Sequence, residues 1–414
     1  MIRNYLKIAL KVLQRRRFFT FVSLFGISFT LVVLMVATAL LDHVLAAMPP
    51  EVYPDRTLVV SRATLLGPHS TWNGMPGYKL LDRYARNIDG IERLTVFTVQ
   101  ETVYAYRGAE KIGLFLKRTD AEFWRVLQFD FLEGGPFTND DVSEARFVAV
   151  VNEATGNRFF PGASPVGRSI EANGQQFRII GVVRNVPILR MQPFADVWVP
   201  LTTTRSADYR DELMGGYSAM ALVRNKAMIP AIQEEFKSRL LRAELPNPQA
   251  YNRLVSAMET PFEAIVAKAL GSAGDEEIHP GRLWALLSTL ALAFMLLPAV
   301  NLVNLNASRI LERASEIGVR KAFGASSRTL VGQFLVENIV LTVIGGAIGL
   351  ALSVLMLRAL SGTGWIPYAD LRMNYRTFGM GVGLTLFFGI LSGVYPAWRM
   401  SRLHPVEALK GGVR

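Results

Sequence analysis

Residues 308–328 read SRILERASEIGVRKAFGASSR. Arg309, Arg313, Arg320, Lys321 and Arg328 stand against Glu312 and Glu316, and a long apolar run lies on either side. A short segment of positive excess between two membrane-length runs belongs on the cytoplasmic face, where Lys and Arg are retained. That assignment fixes the direction of every apolar run around it. It also makes the stretch a natural place for a cytosolic partner to grip.

The run before it, Leu283–Leu305, and the run after it, Leu335–Leu357, both reach the ~20 residues a helix needs to cross a bilayer. Pro298 should kink the first, and Asn301, Asn304 and Asn306 near its end suit hydrogen bonds between packed helices. Gln333, Glu337 and Asn338 give the second a polar start, as expected of a helix that begins in the cytosolic interface. Two further runs, Phe18–Leu41 and Thr377–Trp398, complete four spans. Phe18–Leu41 is longer than the ~7–15 residues of a signal-peptide core, so it is expected to stay uncleaved despite Ala46–Ala47. Gly345/Gly349, Gly379/Gly383 and Gly389/Gly393 are small-xxx-small pairs that let helices approach closely. Ahead of the first span, Arg3, Lys7, Lys11 and Arg15 recur every four residues, with Ile2, Leu6, Ala9, Leu10 and Leu13 on the other face. That pattern predicts an amphipathic helix lying in the membrane interface, its basic side towards lipid.

The expected divisions are an elbow helix at 1–17, a first span at 18–47 and an extracytoplasmic domain at 48–281. A second span at 282–307, the cytoplasmic segment 308–328 and a third span at 329–360 follow. An outside loop at 361–376, a fourth span at 377–398 and a cytoplasmic tail at 399–414 close the chain.

Charge supports this division. The net charge is +11, but residues 48–281 hold 26 Lys/Arg and 28 Asp/Glu. The basicity therefore belongs to the membrane half and argues against nucleic-acid binding. Residues 1–19, 308–328 and 399–414 hold 15 of the 45 Lys/Arg and only three acids, which puts all three on the cytoplasmic face. A mean hydropathy of +0.26 fits a mixture of spans and a polar domain.

Within the domain, Thr57–Arg62, Arg93–Val99, Thr102–Tyr106, Gly113–Lys117, Arg146–Val151 and Gln176–Val183 have strand composition. Tyr78–Asn87, Ala121–Leu127, Glu153–Phe160 and Met228–Ala243 read as helices, so the domain is mixed α+β. Gly67–Gly77, GPHSTWNGMPG, reads as a loop that carries Trp72.

There are no cysteines, and His43, His69, His279 and His404 are scattered without metal-ligand spacing, so no metal site is expected. No G-x-x-x-x-G-K-[ST], G-x-S-x-G or H-E-x-x-H occurs. Neither nucleotide binding nor catalysis is expected on this chain.

Residues 312–326, ERASEIGVRKAFGAS, resemble the E-R-x-x-E-I-G-x-R-K-A-x-G-A motif of MacB-like and FtsX-like ABC-transporter permeases. Phe131–Thr138, FLEGGPFT, is similar to that family's L-x-x-G-R-x-F-T turn, although Pro136 stands where Arg is usual and Gly135 precedes it. NRFFPGASPVGRSI and FRIIGVV, within 148–183, resemble its outside domain, and YPAWRMSRLHPVEAL (395–409) resembles its C-terminal P-A-x-R…P-x-E-A-L signature.

The resemblance implies a membrane protein of four transmembrane helices, with a large mixed α+β, MacB-like periplasmic core domain between the first and second. It implies a multi-pass protein of a bacterial inner membrane, both termini cytoplasmic and the large domain periplasmic or extracellular. A second permease, identical or paralogous, would pair with it around an ABC ATPase dimer that holds ATP and Mg. MacB carries its ATPase on the same chain; here the sequence opens on the elbow helix, so a separate ATPase is expected. Carried over by position, the ATPase-coupling residues are Glu312, Ser315, Glu316, Ile317, Gly318, Arg320, Lys321, Ala322, Gly324 and Ala325. The tail would add Arg399, Pro405, Glu407, Ala408 and Leu409. The implied action is mechanical: ATPase closure moves the outside domain and drives efflux of a small molecule or peptide, with a periplasmic adaptor and an outer-membrane duct as further partners. The same resemblance admits lipoprotein extraction, as by LolC/LolE permeases, or an FtsX-like regulator of cell-wall hydrolases, whose outside domain is usually much smaller. Glu316 and Arg320 can pair on one helix face, but ~0.2–0.5 kcal/mol is too little to account for the motif.

Overall fold

The runs TLVV, YSAMALV, VAVVN and VWVP are almost wholly apolar, and all their residues are buried in strands of one sheet. In this computed structural model the described residues are 2–15, 17–270 and 326–363, with 281, 285–290, 292–293, 319, 323, 367–368, 371, 373–376, 378–383, 386–387 and 390. They form two compact units. One comprises Val44–Leu283 with Ile366–Ala369; the other comprises Met1–His43, Trp284–Trp365 and Asp370–Arg414.

The first, polar unit is built on a ten-stranded mixed sheet. Its order is Thr57–Val60, Tyr217–Val223, Ile91–Thr98, Glu110–Thr119, Val197–Pro200, Val148–Asn152, Gln175–Val183 and Phe131–Gly134. Glu101–Arg107 pairs with Glu110–Thr119, and Ser169–Ala172 pairs with Gln175–Val183. Val148–Asn152 runs parallel to Gln175–Val183, and the crossover between them carries the helix Glu153–Phe159. Asn152 starts that helix by accepting a hydrogen bond from Thr155 N at 2.8 Å.

Alternation along the strands sorts residues between two cores, because successive side chains point to opposite faces. Leu58, Val60, Ala219 and Ala221 pack with Leu80, Leu81, Ile232 and Phe236. Their neighbours Val59, Met220 and Leu222 pack with Phe97, Phe123, Trp124 and Trp198. The helices expected at 78–87, 121–127, 153–160 and 228–243 form at the same places with shorter bounds, such as Phe123–Val126 and Ile229–Leu240.

The segment expected as a loop, Gly67–Gly77, is largely a strand. Thr71–Pro76 pairs with Ala63–Leu66 and with Met214–Gly215 in a second, four-stranded sheet completed by Arg253–Ser256. Asn73, Gly74 and Pro76 give it weak strand composition. Its state is set by pairing, with Trp72 opposite Leu65. Gly67 turns the chain beside Ala250, where a Cβ would lie 1.8 Å from the Ala250 carbonyl oxygen.

In the other unit, Arg17–Leu45 and Leu335–Gly362 are long and apolar enough to cross a membrane. The second belongs to a single helix, Ser327–Gly362, begun by Ser326, whose side chain accepts from Thr329 N at 3.2 Å. Most of the expected second and fourth spans lie outside the described residues. Ser28, Thr30 and Thr38 spend their hydroxyls on carbonyls one turn back (Phe25, Gly26 and Leu34), as polar groups in an apolar helix must. Ile27, Leu31, Met35 and Ala39, four residues apart, form the buried face. Gly345 and Gly349 lie against it: a Cβ at Gly345 would sit 2.8 Å from Ile27 Cγ2, and one at Gly349 3.1 Å from Leu31 Cβ. Gly381 approaches the same face near Leu31 and Leu34, whereas Gly379 and Gly383 have no such neighbour within 4 Å. Gly389 and Gly393 lie outside the described residues.

Gly345→Leu should therefore overpack the helix contact and cost about 1–3 kcal/mol. Gly379→Leu, which meets open space, should cost little. Melting temperatures of the two full-length variants in detergent test this; equal values would contradict the contact.

Candidate functional site

The expected ATPase-coupling residues Glu312, Ser315, Glu316, Ile317, Gly318, Arg320, Lys321, Ala322, Gly324 and Ala325 lie outside the described residues. So do Arg399, Pro405, Glu407, Ala408 and Leu409 of the tail. What is described is the frame around the coupling stretch. The elbow is a helix over Ile2–Arg15, with Lys7, Lys11 and Arg15 exposed and Ala9 and Leu13 buried. The backbone of Arg3 lies in this helix, and its side chain is outside the described set. The elbow packs on Ser327–Gly362. Thr20 Oγ1 donates to Leu13 O at 3.0 Å, across the break between the elbow and the first long helix. Gln333, Glu337 and Asn338, expected at an interface, are buried, and Gln333 Nε2 donates to Glu337 Oε1 at 3.0 Å.

In the polar unit, the residues that join it to the apolar helices are fastened by buried polar groups. The first junction follows Leu45. Arg190 is 3% exposed; Nη1 donates to Glu51 Oε2 at 2.8 Å and Nη2 to Ala46 O at 2.7 Å. A fork that holds a carboxylate and a carbonyl at once is a task for guanidinium. Burial raises the Glu51 carboxyl against the lowering pull of Arg190. Beside it, the buried Lys117 Nζ donates to Met191 O and Gln192 O, and burial pushes its ammonium down to about 7. Val44, Leu45, Ala46, Glu51 and Arg190 border a small cavity of about 20 Å³, room for a water at most.

A second junction precedes Leu270. Glu259 exchanges two backbone hydrogen bonds with Val59, at 2.7 and 2.9 Å, and its carboxylate pairs with Arg62. Thr260 and Glu263 cap the helix Pro261–Leu270 reciprocally: Thr260 N donates to Glu263 Oε2 at 2.7 Å and Glu263 N to Thr260 Oγ1 at 3.3 Å.

The third junction is Pro367–Tyr368, from the stretch expected as an outside loop. Pro367 O accepts from Ile188 N at 3.2 Å, and Tyr368 Oη donates to Asp196 Oδ1 at 2.9 Å. Burial, with the Asp196 carboxylate second, pushes the Tyr368 phenol up to about 12. Asp196 also accepts from Phe115 N at 2.9 Å and from Asn152 Nδ2 at 2.8 Å.

The first and third junctions share one loop, Arg184–Asp196, RNVPILRMQPFAD. Sequence reading gave it no role. Its partners Ala46, Glu51, Lys117 and Pro367 are 70 or more residues away, so no local pattern marks it; two prolines flanking an arginine were the only hint. Among the described residues, no cluster of His, Asp and Glu could hold a metal. The buried Asp120, pushed up to about 6 by burial, caps Phe123 N at 3.1 Å and holds Thr95 Oγ1 and Val96 N. These groups fasten segments together.

Residues 20–239 match the family described as MacB-like periplasmic core domain, and 288–405 that described as FtsX-like permease C-terminal. The Bdellovibrio bacteriovorus protein named macrolide export ATP-binding/permease protein MacB is 32% identical over 286 residues, 67% of this chain and 41% of that one. The Bacillus subtilis protein named uncharacterized ABC transporter permease YknZ is 24% identical over 329 residues, 78% of this chain and 77% of its own length. The chain thus spans less than half the length of the MacB relatives it matches. Among solved structures, the periplasmic region of MacB from Actinobacillus actinomycetemcomitans is 15% identical at a TM-score of 0.37, covering 53% of this chain and 94% of that one.

Lys117 gives this region a pH dependence. Its folded-state value of about 7 lies below the ordinary lysine value of 10.5. Between these, the unfolded chain binds a proton that the folded chain does not, so stability rises with pH. Relative to Lys117→Met, the wild-type protein should gain about 2–3 kcal/mol between pH 7 and pH 9. Thermal unfolding at both pH values measures it; a pH-independent difference would show an ammonium that stays charged.

Proposed function

The chain belongs to the MacB-like family of ABC-transporter permeases, joining a MacB-like periplasmic core domain to an FtsX-like permease C-terminal region, and we propose that it turns closure of a separate ABC ATPase dimer into movement of its polar unit. The movement drives efflux of a small molecule or peptide from the periplasm. A second permease, identical or paralogous, completes the membrane part, and an adaptor and outer-membrane duct receive the cargo. Nucleotide chemistry, with ATP and Mg, belongs to the partner.

The observation that carries this is where the apolar helices lead. Arg17–Leu45 runs directly into Ala46, and Ser327–Gly362 is followed within five residues by Pro367; both Ala46 and Pro367 lie in the polar unit. At 1.5 Å per residue these helices are about 43 and 54 Å long, against ~30 Å of hydrocarbon. Their other ends, the basic elbow and the Ser308–Arg328 stretch, then face the opposite side together. The remaining two expected spans make four, with both termini in the cytoplasm of a bacterial inner membrane. The exposed Lys7, Lys11 and Arg15 suit anionic lipid there. The Bacillus subtilis relative YknZ, matched over 77% of its length, is named a permease.

Co-purification in gentle detergent with an ABC ATPase encoded nearby is the first expectation; a chain that stays alone in its presence would contradict the coupling. Substituting Glu316→Ala with Arg320→Ala should lower the stimulation of ATP hydrolysis about 5-fold or more. Unchanged stimulation would remove both residues from the role. The chain has no cysteine, so a thiol introduced as Thr71→Cys is unique. It should label from outside only, and labelling only from the cytosol would overturn the topology.

A further inference from the structure

The loop Arg184–Asp196 holds two of the three junctions and does not have the character of a flexible connection. Loops that run over a surface are mobile because few contacts restrain them. Here Val186, Arg190, Phe194 and Ala195 are buried. The loop is hydrogen-bonded within itself, from Arg190 N to Pro187 O at 2.9 Å and from Phe194 N to Arg190 O at 3.0 Å. Trp198 Nε1 donates to Pro193 O at 3.2 Å, and Lys117 holds the carbonyls of Met191 and Gln192. Pro187 and Pro193 restrict the backbone further. The middle of this stiff piece grips Ala46 and Glu51 through Arg190. Elsewhere it meets Pro367 through Ile188 N and Tyr368 through Asp196, and the Phe194 and Tyr368 rings lie 6.4 Å apart.

We propose that Arg184–Asp196 is the junction at which displacement of the first and third spans enters the polar unit as one motion, with Arg190 and Tyr368 as its positioning residues. A stiff, buried loop passes a displacement on, whereas a soft one absorbs it. Asp196 carries the motion onward, because its carboxylate and backbone bind the strands Glu110–Thr119 and Val148–Asn152. The Asn152 side chain links it to the helix after the second strand. The role presupposes the permease function proposed above.

Single-molecule energy transfer tests it in the full chain, in nanodiscs with its ATPase. Dyes at Lys7→Cys and Thr71→Cys report the elbow and the polar unit, both positions being exposed. The wild-type chain should shift its transfer efficiency between the nucleotide-free and the ATP-vanadate state. Tyr368→Phe, which deletes one hydroxyl and keeps the ring, should reduce that shift about twofold or more at unchanged ATP hydrolysis, measured at a temperature where every variant stays folded. Arg190→Gln should do the same. So should Arg190→Lys, which keeps the charge beside Glu51 but cannot hold Glu51 and Ala46 in one fork. A shift of wild-type size in all three variants would overturn the junction and leave the permease function standing. A wild-type chain with no nucleotide-dependent shift would overturn that function, and the junction with it. Variants that lose hydrolysis together with the shift would place the defect at the ATPase and also contradict the proposal.

Discussion

The Asp196 carboxylate is the contact that ties the Tyr368 junction to the sheet of the polar unit. A buried carboxylate is costly unless donors replace the water it loses. Asp196 has three: Phe115 N, Asn152 Nδ2 and Tyr368 Oη. Each comes from a different part of the chain, so satisfying one group fixes three segments at once. Its backbone adds two more ties, from Asp196 N to Phe115 O at 2.7 Å and from Asn152 N to Asp196 O at 3.0 Å. The same economy recurs at Arg190, where one guanidinium serves Ala46 and Glu51.

The apolar helices are held by different physics. Between helices in a bilayer, burial from water drives nothing, and close packing of small residues takes its place. Gly345 and Gly349 supply that closeness against Ile27 and Leu31. Tight contacts between helices in one unit and buried polar fasteners in the other are the kind of stiff parts that the proposed coupling calls for.

Much of this was legible in the sequence. Val148–Asn152 declares itself by its nearly unbroken apolar run, Gln175–Val183 by its β-branched second half, and Glu153–Phe159 by the residues that start and stop it. The elbow helix shows in its four-residue basic repeat, and the family in ERASEIGVRKAFGAS. Thr71–Pro76 was not legible, because Gly, Asn and Pro argue against a strand and only pairing with Ala63–Leu66 makes one. The register of the glycines was half legible: composition marked Gly345/Gly349 and Gly379/Gly383 alike, but only contact shows which face meets a neighbour. The junction loop was invisible for a related reason. Arg190, Asp196 and Tyr368 carry no motif, and their partnerships exist only after the sheet has brought distant segments together.

Hydrogen–deuterium exchange of the full chain with its ATPase, compared with and without vanadate-trapped nucleotide, tests the central claim most directly. Coupling through the cytoplasmic stretch to the polar unit predicts altered exchange in 308–328 and in 184–196, with the strands Val148–Asn152 and Tyr217–Val223 unchanged. Changes confined to the ATPase and to 308–328, with the polar unit indifferent to nucleotide, would contradict it.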